Sequence, residues 1–208
     1  MAIKILELFA GTCSFSNIAK ECGHEIFTSD YDPQFDVHYR VDILDFDYSK
    51  VPFIPDIIWA SPPCESFSVA SIGKHWNTDN TPKSEKAVLG MNMVKKAMEI
   101  IEHYNPKFYI IENPRGKLRK LPFMQNHPYR YTVTYCQYGD DRMKPTDLWT
   151  NFIWQPRAMC KNGMPCHIAA PRGSKTGTQG IATYRDRSRI PNELCKDIIL
   201  TIEGLNDV

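Results

Sequence analysis

The 208-residue sequence lacks any apolar run approaching the roughly 18 residues that a bilayer-spanning helix needs, which excludes a single-helix membrane span. Its opening, MAIKILELFAG, lacks a signal-peptide layout and enters a strand pattern at once, so the expectation is a protein of the cytoplasm. The seven cysteines lack the spacing of a disulfide framework and fit a reducing compartment. No internal repeat is visible, and at this length the chain reads as one domain with room for an insertion. A net charge of only +1 gives no overall pull toward a polyanion.

What is there is an uneven distribution of that charge. Residues 1–60 hold ten acidic and four basic side chains, a net of −6, whereas residues 142–191 hold nine Lys/Arg against two Asp, a net of +7. An acidic front and a basic back imply two surfaces with different partners, and the basic one suits a phosphate-rich polymer. A solvated face that merely balances charge is the plain alternative.

Periodicity predicts strands over 3–9, 24–30, 39–46, 55–60 and 106–113, with a helix after the first strand that stops at Gly23. A long helix is expected over 84–104, with Ser84 as its cap and an apolar stripe of Val88, Met91, Val94, Ala97, Met98 and Ile101. Two further strands, 129–139 and 147–154, read as antiparallel neighbours, residues 61–83 and 155–185 as irregular, and 191–205 as a terminal helix opened by Pro191. Strand–helix alternation through residue 113 implies an α/β fold with a parallel sheet, in which ligands bind beyond the carboxyl ends of the strands.

The unusual residues sit at those ends. FAGTCS after the first strand offers a glycine turn at Gly11 for close backbone approach. Asp30, about 20 residues on, stands where an acid accepts from ribose hydroxyls; Tyr31 can stack on a base and Asp42 can accept from an exocyclic amine. Together they describe a nucleoside cofactor across the sheet edge, although each acid alone reads equally as a helix cap or turn. In ASPPCESFS, two prolines stiffen the chain directly before Cys64, a candidate nucleophile. Most cysteines are inert core residues, so it is the position at a ligand edge that singles this one out. Glu112, closing the strand IIENPRG, is a candidate acid for a heterocycle under attack.

LELFAGTCSFS, ASPPCESFS and IIENPRG, in this order and spacing, resemble the cofactor, nucleophile and acid motifs of the cytosine-5 DNA methyltransferases. The resemblance is close over residues 1 to about 115, looser over 130–154 and faint beyond. It implies a Rossmann-like, S-adenosylmethionine-dependent methyltransferase sheet with a reduced target-recognition segment. The domains expected on that basis are a catalytic unit (1–154), a small basic recognition segment (155–190) and a C-terminal helix (191–208). By position, it implies cofactor contacts at Phe9, Ala10, Gly11, Thr12, Asp30, Tyr31, Asp42, Ile43 and Pro62. The catalytic set would be Cys64, Glu112, Asn113 and Arg142, with substrate contacts at Pro63, Ser66, Lys144, Arg172 and Arg185. In the implied chemistry a thiolate adds to cytosine C6, C5 becomes nucleophilic, and the acid holds N3 and the N4 amine; a duplex target has to be flipped out.

The chain departs from the family pattern in three places. The family's Gln-x-Arg-x-Arg strand is reduced to Arg142 and Lys144, its closing Gly-Asn motif is absent, and recognition is left to residues 155–190. The compactness suits a phage or mobile element, a bacterial or phage-infected host cell, and a restriction-modification role. It also leaves room for a homodimer or an accessory subunit beside a monomer. DNA is the expected polymer, with RNA, specifically tRNA, as the alternative. A non-catalytic nucleic-acid-binding homologue fits Cys64 and Glu112 less well, an amino-methyltransferase fits Cys64 less well, and a cysteine enzyme of free pyrimidine nucleotides would leave the basic segment without a purpose. Cys160, Cys166 and His167 form C-x5-C-H, three soft ligands with no fourth close in sequence, so no metal is expected.

Overall fold

The structure is a computed structural model, described here for residues 2–161, 163–169, 181 and 183–206. In chain order the elements are β1 (Lys4–Leu8), α1 (Ser14–Glu21), β2 (Glu25–Asp30), β3 (Tyr39–Arg40), β4 (Ile57–Ala60), α2 (Ile72–His75), α3 (Glu85–Tyr104), β5 (Phe108–Pro114), β6 (Tyr129–Thr134), β7 (Pro145–Thr150), α4 (Tyr184–Ser188) and α5 (Asn192–Asn206). The strands form one seven-stranded sheet in the order β3-β2-β1-β4-β5-β7-β6. β1 to β5 run parallel, and β7 enters antiparallel between β5 and β6.

Helices cover both faces, which is why β4 can be apolar at every position: Ile57, Ile58, Trp59 and Ala60 are all fully buried. On one face α1 and α5 share a core in which Phe15 stacks on Trp59 at 4.4 Å and Leu194, Cys195 and Ile198 pack alongside. On the other, α3 lays Val94, Ala97 and Ile100 against Leu6, Ile58 and Ile111. Ser84 caps α3 by accepting from the Ala87 amide, and Asn105 ends the helix in the left-handed conformation. Among the described residues no helix is long and apolar enough to cross a membrane.

Several elements differ from the sequence reading: the strand expected over 129–139 ends at Thr134 and passes into a 3₁₀ turn at Tyr135–Tyr138, the one expected over 147–154 is Pro145–Thr150, and the irregular stretch 61–83 contains α2. The strand expected over 39–46 lasts two residues, because the Asp42 side chain accepts from the Leu44 amide and turns the chain into a 3₁₀ helix at Ile43–Asp45. The buried stripe of α3 is Ala87, Gly90, Val94, Ala97, Ile100 and Ile101, while Val88 is exposed. The helix is rotated because its small residues, not its bulky ones, face the loop that carries Cys64. A Cβ on Gly90 would lie 2.8 Å from Ser66 Oγ and 3.3 Å from the Phe67 ring.

Candidate active site

The turn that carries Cys64 is held from three directions. Pro62 and Pro63 carry no amide to extend the sheet, so the chain leaves it after Ser61. Asn113, fully buried at the end of β5, donates from Nδ2 to the Pro62 carbonyl at 2.8 Å. The Cys64 carbonyl accepts from the amides of Phe67 and Ser68, both at 3.0 Å, which curls the chain back on itself. Phe67 is fully buried beside Trp76, whose Nε1 donates to the Ser66 carbonyl at 2.7 Å. The Phe67 carbonyl accepts from the Lys117 amide at 2.7 Å. This last contact requires Gly116, where a Cβ would sit 2.2 Å from the Phe67 carbonyl oxygen.

The thiol sits in a charged setting. Burial pushes the Cys64 thiol above its usual range, the Lys144 ammonium pulls it back, and the Glu112 carboxylate adds to the rise. Glu112 is buried, and its Oε1 accepts from the Tyr135 hydroxyl at 2.9 Å. Tyr135 is itself fully buried; burial and the neighbouring carboxylate hold its phenol well above the ordinary range, so it remains a proton donor to Glu112. Lys144 Nζ lies 4.7 Å above the Tyr135 ring. Cys64, Glu112, Tyr135 and Lys144 therefore form one interacting group.

A narrow cleft opens beside them at the carboxyl edge of the sheet. Phe9, Asp30, Tyr31, Asp42 and Ile43 line it, with Pro63 completing the wall and Met93 contributed by α3. The β1–α1 turn borders it through Phe9 alone, so the expected contact Gly11 does not line it; the turn is made by left-handed residues at Phe9 (φ 56°), Gly11 (φ 50°) and Cys13 (φ 53°). Asp30 fixes that turn: Oδ2 accepts from the Gly11 amide and Oδ1 from the Asp32 amide, both at 2.9 Å. Tyr31 is 62% exposed, leaving a ring face available at the rim.

The structure does not bring every expected residue to this place. Ala10 is buried, with its amide on the Ser29 carbonyl; Thr12 Oγ1 pairs with Ser14 Oγ; and Pro62 is buried under Asn113. None of the three lines the cleft. Ser66, expected at the substrate, is buried with its hydroxyl toward Gly90 of α3, because only a small side chain fits where the helix approaches. Arg142, expected in the catalytic set, is 3% exposed and spends its guanidinium on Asp140 and on the carbonyls of Asp186, Arg187 and Arg189. It fastens the chain before α5 to the β6–β7 connection; Lys144 Nζ also donates to the Arg187 carbonyl, at 3.3 Å, and its charge favours the Cys64 thiolate. Pro63 borders the cofactor-side cleft, Arg185 is exposed on α4, and Arg172 lies outside the described residues. Tyr135 was not anticipated: a tyrosine in a β-rich stretch reads as core, and only the pairing of β6 with β7 and β7 with β5 aligns it with Glu112.

The family model of the C-5 cytosine-specific DNA methylases matches residues 3–121. A Frog virus 3 protein named "Probable DNA (cytosine-5)-methyltransferase" is 32% identical over 95% of the chain and 99% of its own length. The type II methyltransferase M.HpaII of Haemophilus parainfluenzae is 31% identical over 53% of the chain and 31% of its own length. Among solved structures, the Entamoeba histolytica methyltransferase EhMeth superposes with a TM-score of 0.50 at 12% identity, covering 76% of the chain and 55% of that structure. A candidate DNA modification methyltransferase from an E. coli prophage gives 0.54 at 14%, covering 72% and 46%. The chain thus spans about half the length of the solved relatives and nearly all of the viral one. The motif order, the held Cys64 turn, the Glu112 pair and these likenesses agree: the chain belongs to the C-5 cytosine-specific DNA methylase family.

Proposed function

We propose that the protein transfers a methyl group from S-adenosylmethionine to C5 of cytosine in DNA, through a covalent bond between Cys64 and C6 of the base. The observation that supports this best is the arrangement of Cys64, Glu112, Tyr135 and Lys144 around one turn at the sheet edge. The neighbouring cleft suits the cofactor: two carboxylates for ribose and adenine and an exposed tyrosine ring for stacking, with Phe9 of the adjoining glycine turn toward the methionine end. When bound, S-adenosylmethionine supplies an electrophilic methyl group.

The chain's own residues supply the rest. Lys144 offsets part of the penalty that burial places on the Cys64 thiolate. The thiolate forms a bond to C6, and the ring electrons shift to make C5 nucleophilic. Glu112, oriented by Tyr135, gives a proton to N3 as the addition builds negative charge there and accepts from the N4 amine. Asn113 fixes the direction of attack through the Pro62 carbonyl. Once C5 is methylated, loss of its proton to a base or water expels the thiolate and restores the ring. Pro63, next to Cys64, is proposed to contact the base, and Arg172 and Arg185 are proposed as phosphate or base contacts. A target in duplex DNA is flipped out to reach Cys64.

The test is a trapping reaction with duplex DNA carrying 5-fluorocytosine, from which the final elimination cannot occur. A denaturation-stable protein–DNA adduct that needs S-adenosylmethionine and is absent from Cys64→Ala is expected. An adduct of equal yield with Cys64→Ala overturns the reading, and adduct formation only with RNA moves the substrate to that polymer.

A further inference from the structure

Three of the seven cysteines and one histidine converge at a place the methyl-transfer chemistry does not use. Cys136, Cys160, Cys166 and His167 each present a ligand atom, and these four atoms lie within 4.8 Å of one another. Individual separations are 3.2 Å for Cys160 Sγ–Cys166 Sγ, 3.7 Å for Cys166 Sγ–Cys136 Sγ, 3.4 Å for Cys160 Sγ–His167 Nδ1 and 3.8 Å for Cys166 Sγ–His167 Nδ1. A tetrahedral zinc with bonds of about 2.3 Å to sulfur and 2.0–2.1 Å to nitrogen has edges of roughly 3.5–3.8 Å, which these separations approach on every measured side. Among the described residues it is the only group of three or more such side chains close enough to share an ion.

The sequence conceals the fourth ligand. C-x5-C-H supplies three donors, and Cys136 arrives from the 3₁₀ turn that follows β6. The backbone is built to bring them together. The Cys160 amide donates to Thr134 Oγ1 at 2.8 Å, the Arg157 amide to the Tyr138 hydroxyl at 2.9 Å, and the Ile168 amide to the Asp141 carbonyl at 2.9 Å. Between Cys160 and Cys166 the chain turns at Gly163 (φ 89°), with the Met164 amide on the Lys161 carbonyl at 3.2 Å. Gln137 Nε2 lies 3.3 Å from Cys166 Sγ, placed to donate to a thiolate. Cys136 and Cys160 are buried, as suits a closed structural site with no position left for substrate.

We propose that Cys136, Cys160, Cys166 and His167 form a structural zinc site that pins the chain leaving β7 onto the β6–β7 connection. Three thiolates and one neutral imidazole around Zn²⁺ give a net charge of −1, and binding releases the three thiol protons to solvent. Soft sulfur donors with one imidazole in a tetrahedral array select zinc over calcium or magnesium, and a disulfide would employ two of the sulfurs while giving the histidine no part. The site lies inside the segment 155–190 expected above to recognise the target, and ties its residues 160–167 to the turn that follows β6. It does not rest on the methyl-transfer reading, because zinc content is measured without turnover.

The experiment is elemental analysis of the full chain, purified untagged and reduced from zinc-supplemented cells. About one zinc per chain is expected, with at least a tenfold loss in Cys136→Ser and in Cys160→Ser. Should those variants fail to fold, alkylation of the parent chain keeps the question open to refutation. Cys136, Cys160 and Cys166 should be protected until a chelator is added, and cobalt(II) should give the intense bands of a tetrahedral thiolate site that zinc then displaces. Less than about a tenth of a zinc per chain, with all seven thiols alkylated at the same rate whether or not a chelator is present, overturns the proposal. So does a Cys160–Cys166 disulfide in the reduced preparation.

Discussion

Replacing Tyr135 by Phe removes one oxygen from the active site and little else. The ring stays to fill the core beneath Lys144, so packing is kept, while Glu112 Oε1 loses a donor at 2.9 Å in a setting closed to water. A hydrogen bond to a charged group is worth about 1.5–3 kcal/mol, and removing one partner leaves the other unsatisfied. At 1.36 kcal/mol per decade, the expected loss is roughly 10- to 150-fold in rate. It should fall on kcat rather than KM, since proton donation by a correctly held Glu112 is needed most as negative charge develops on N3. The assay is single-turnover methyl transfer from radiolabelled S-adenosylmethionine, with thermal melting to establish that the variant is folded. A folded Tyr135→Phe enzyme within twofold of the parent would refute the claim that the phenol positions Glu112.

Lys144→Met removes the ammonium that favours the Cys64 thiolate, so activity at neutral pH should fall and recover in part as pH rises. A pH–rate profile of unchanged shape would assign Lys144 elsewhere. Gly116→Ala forces a Cβ to 2.2 Å from the Phe67 carbonyl, so the catalytic turn must move; a stability loss of about 1–3 kcal/mol by denaturant melting, with a larger loss of activity, is expected. Glu7, fully buried under α1 with Oε2 accepting from the Ser16 amide, is raised by burial from 4.5 to about 7. The unfolded chain therefore ionises first, and the folded state loses about 3 kcal/mol as pH climbs through that window. Glu7→Gln should stabilise the protein at pH 8 by up to that amount and little near pH 5; equal effects at both pH values would count against it.

The carboxyl edge of the sheet was legible because its punctuation is chemical. Gly11, the paired prolines before Cys64 and the acid ends at Asp30 and Glu112 interrupt strand patterns where no packing need explains them. Residues whose role depends on another part of the chain were not legible. Ser66 reads as a polar contact beside the thiol, yet Gly90 of α3 leaves a slot that a small hydroxyl residue fills. Arg142 and Lys144 are equivalent by spacing, and both reach the Arg187 carbonyl; only the fold shows that the guanidinium is committed to Asp140 and three carbonyls while the ammonium also lies over the Tyr135 ring. Cys136 completes a ligand set whose other members begin at residue 160, a pairing that sequence distance hides.

The central claim is tested most directly by mass spectrometry of nucleosides from cells expressing the chain or its Cys64→Ala variant, with DNA and RNA digested separately. The account predicts 5-methylcytosine in DNA with the intact chain and none above background with the variant. Methylation that persists in Cys64→Ala, or its absence from both polymers when the intact protein is folded and binds S-adenosylmethionine, would contradict it.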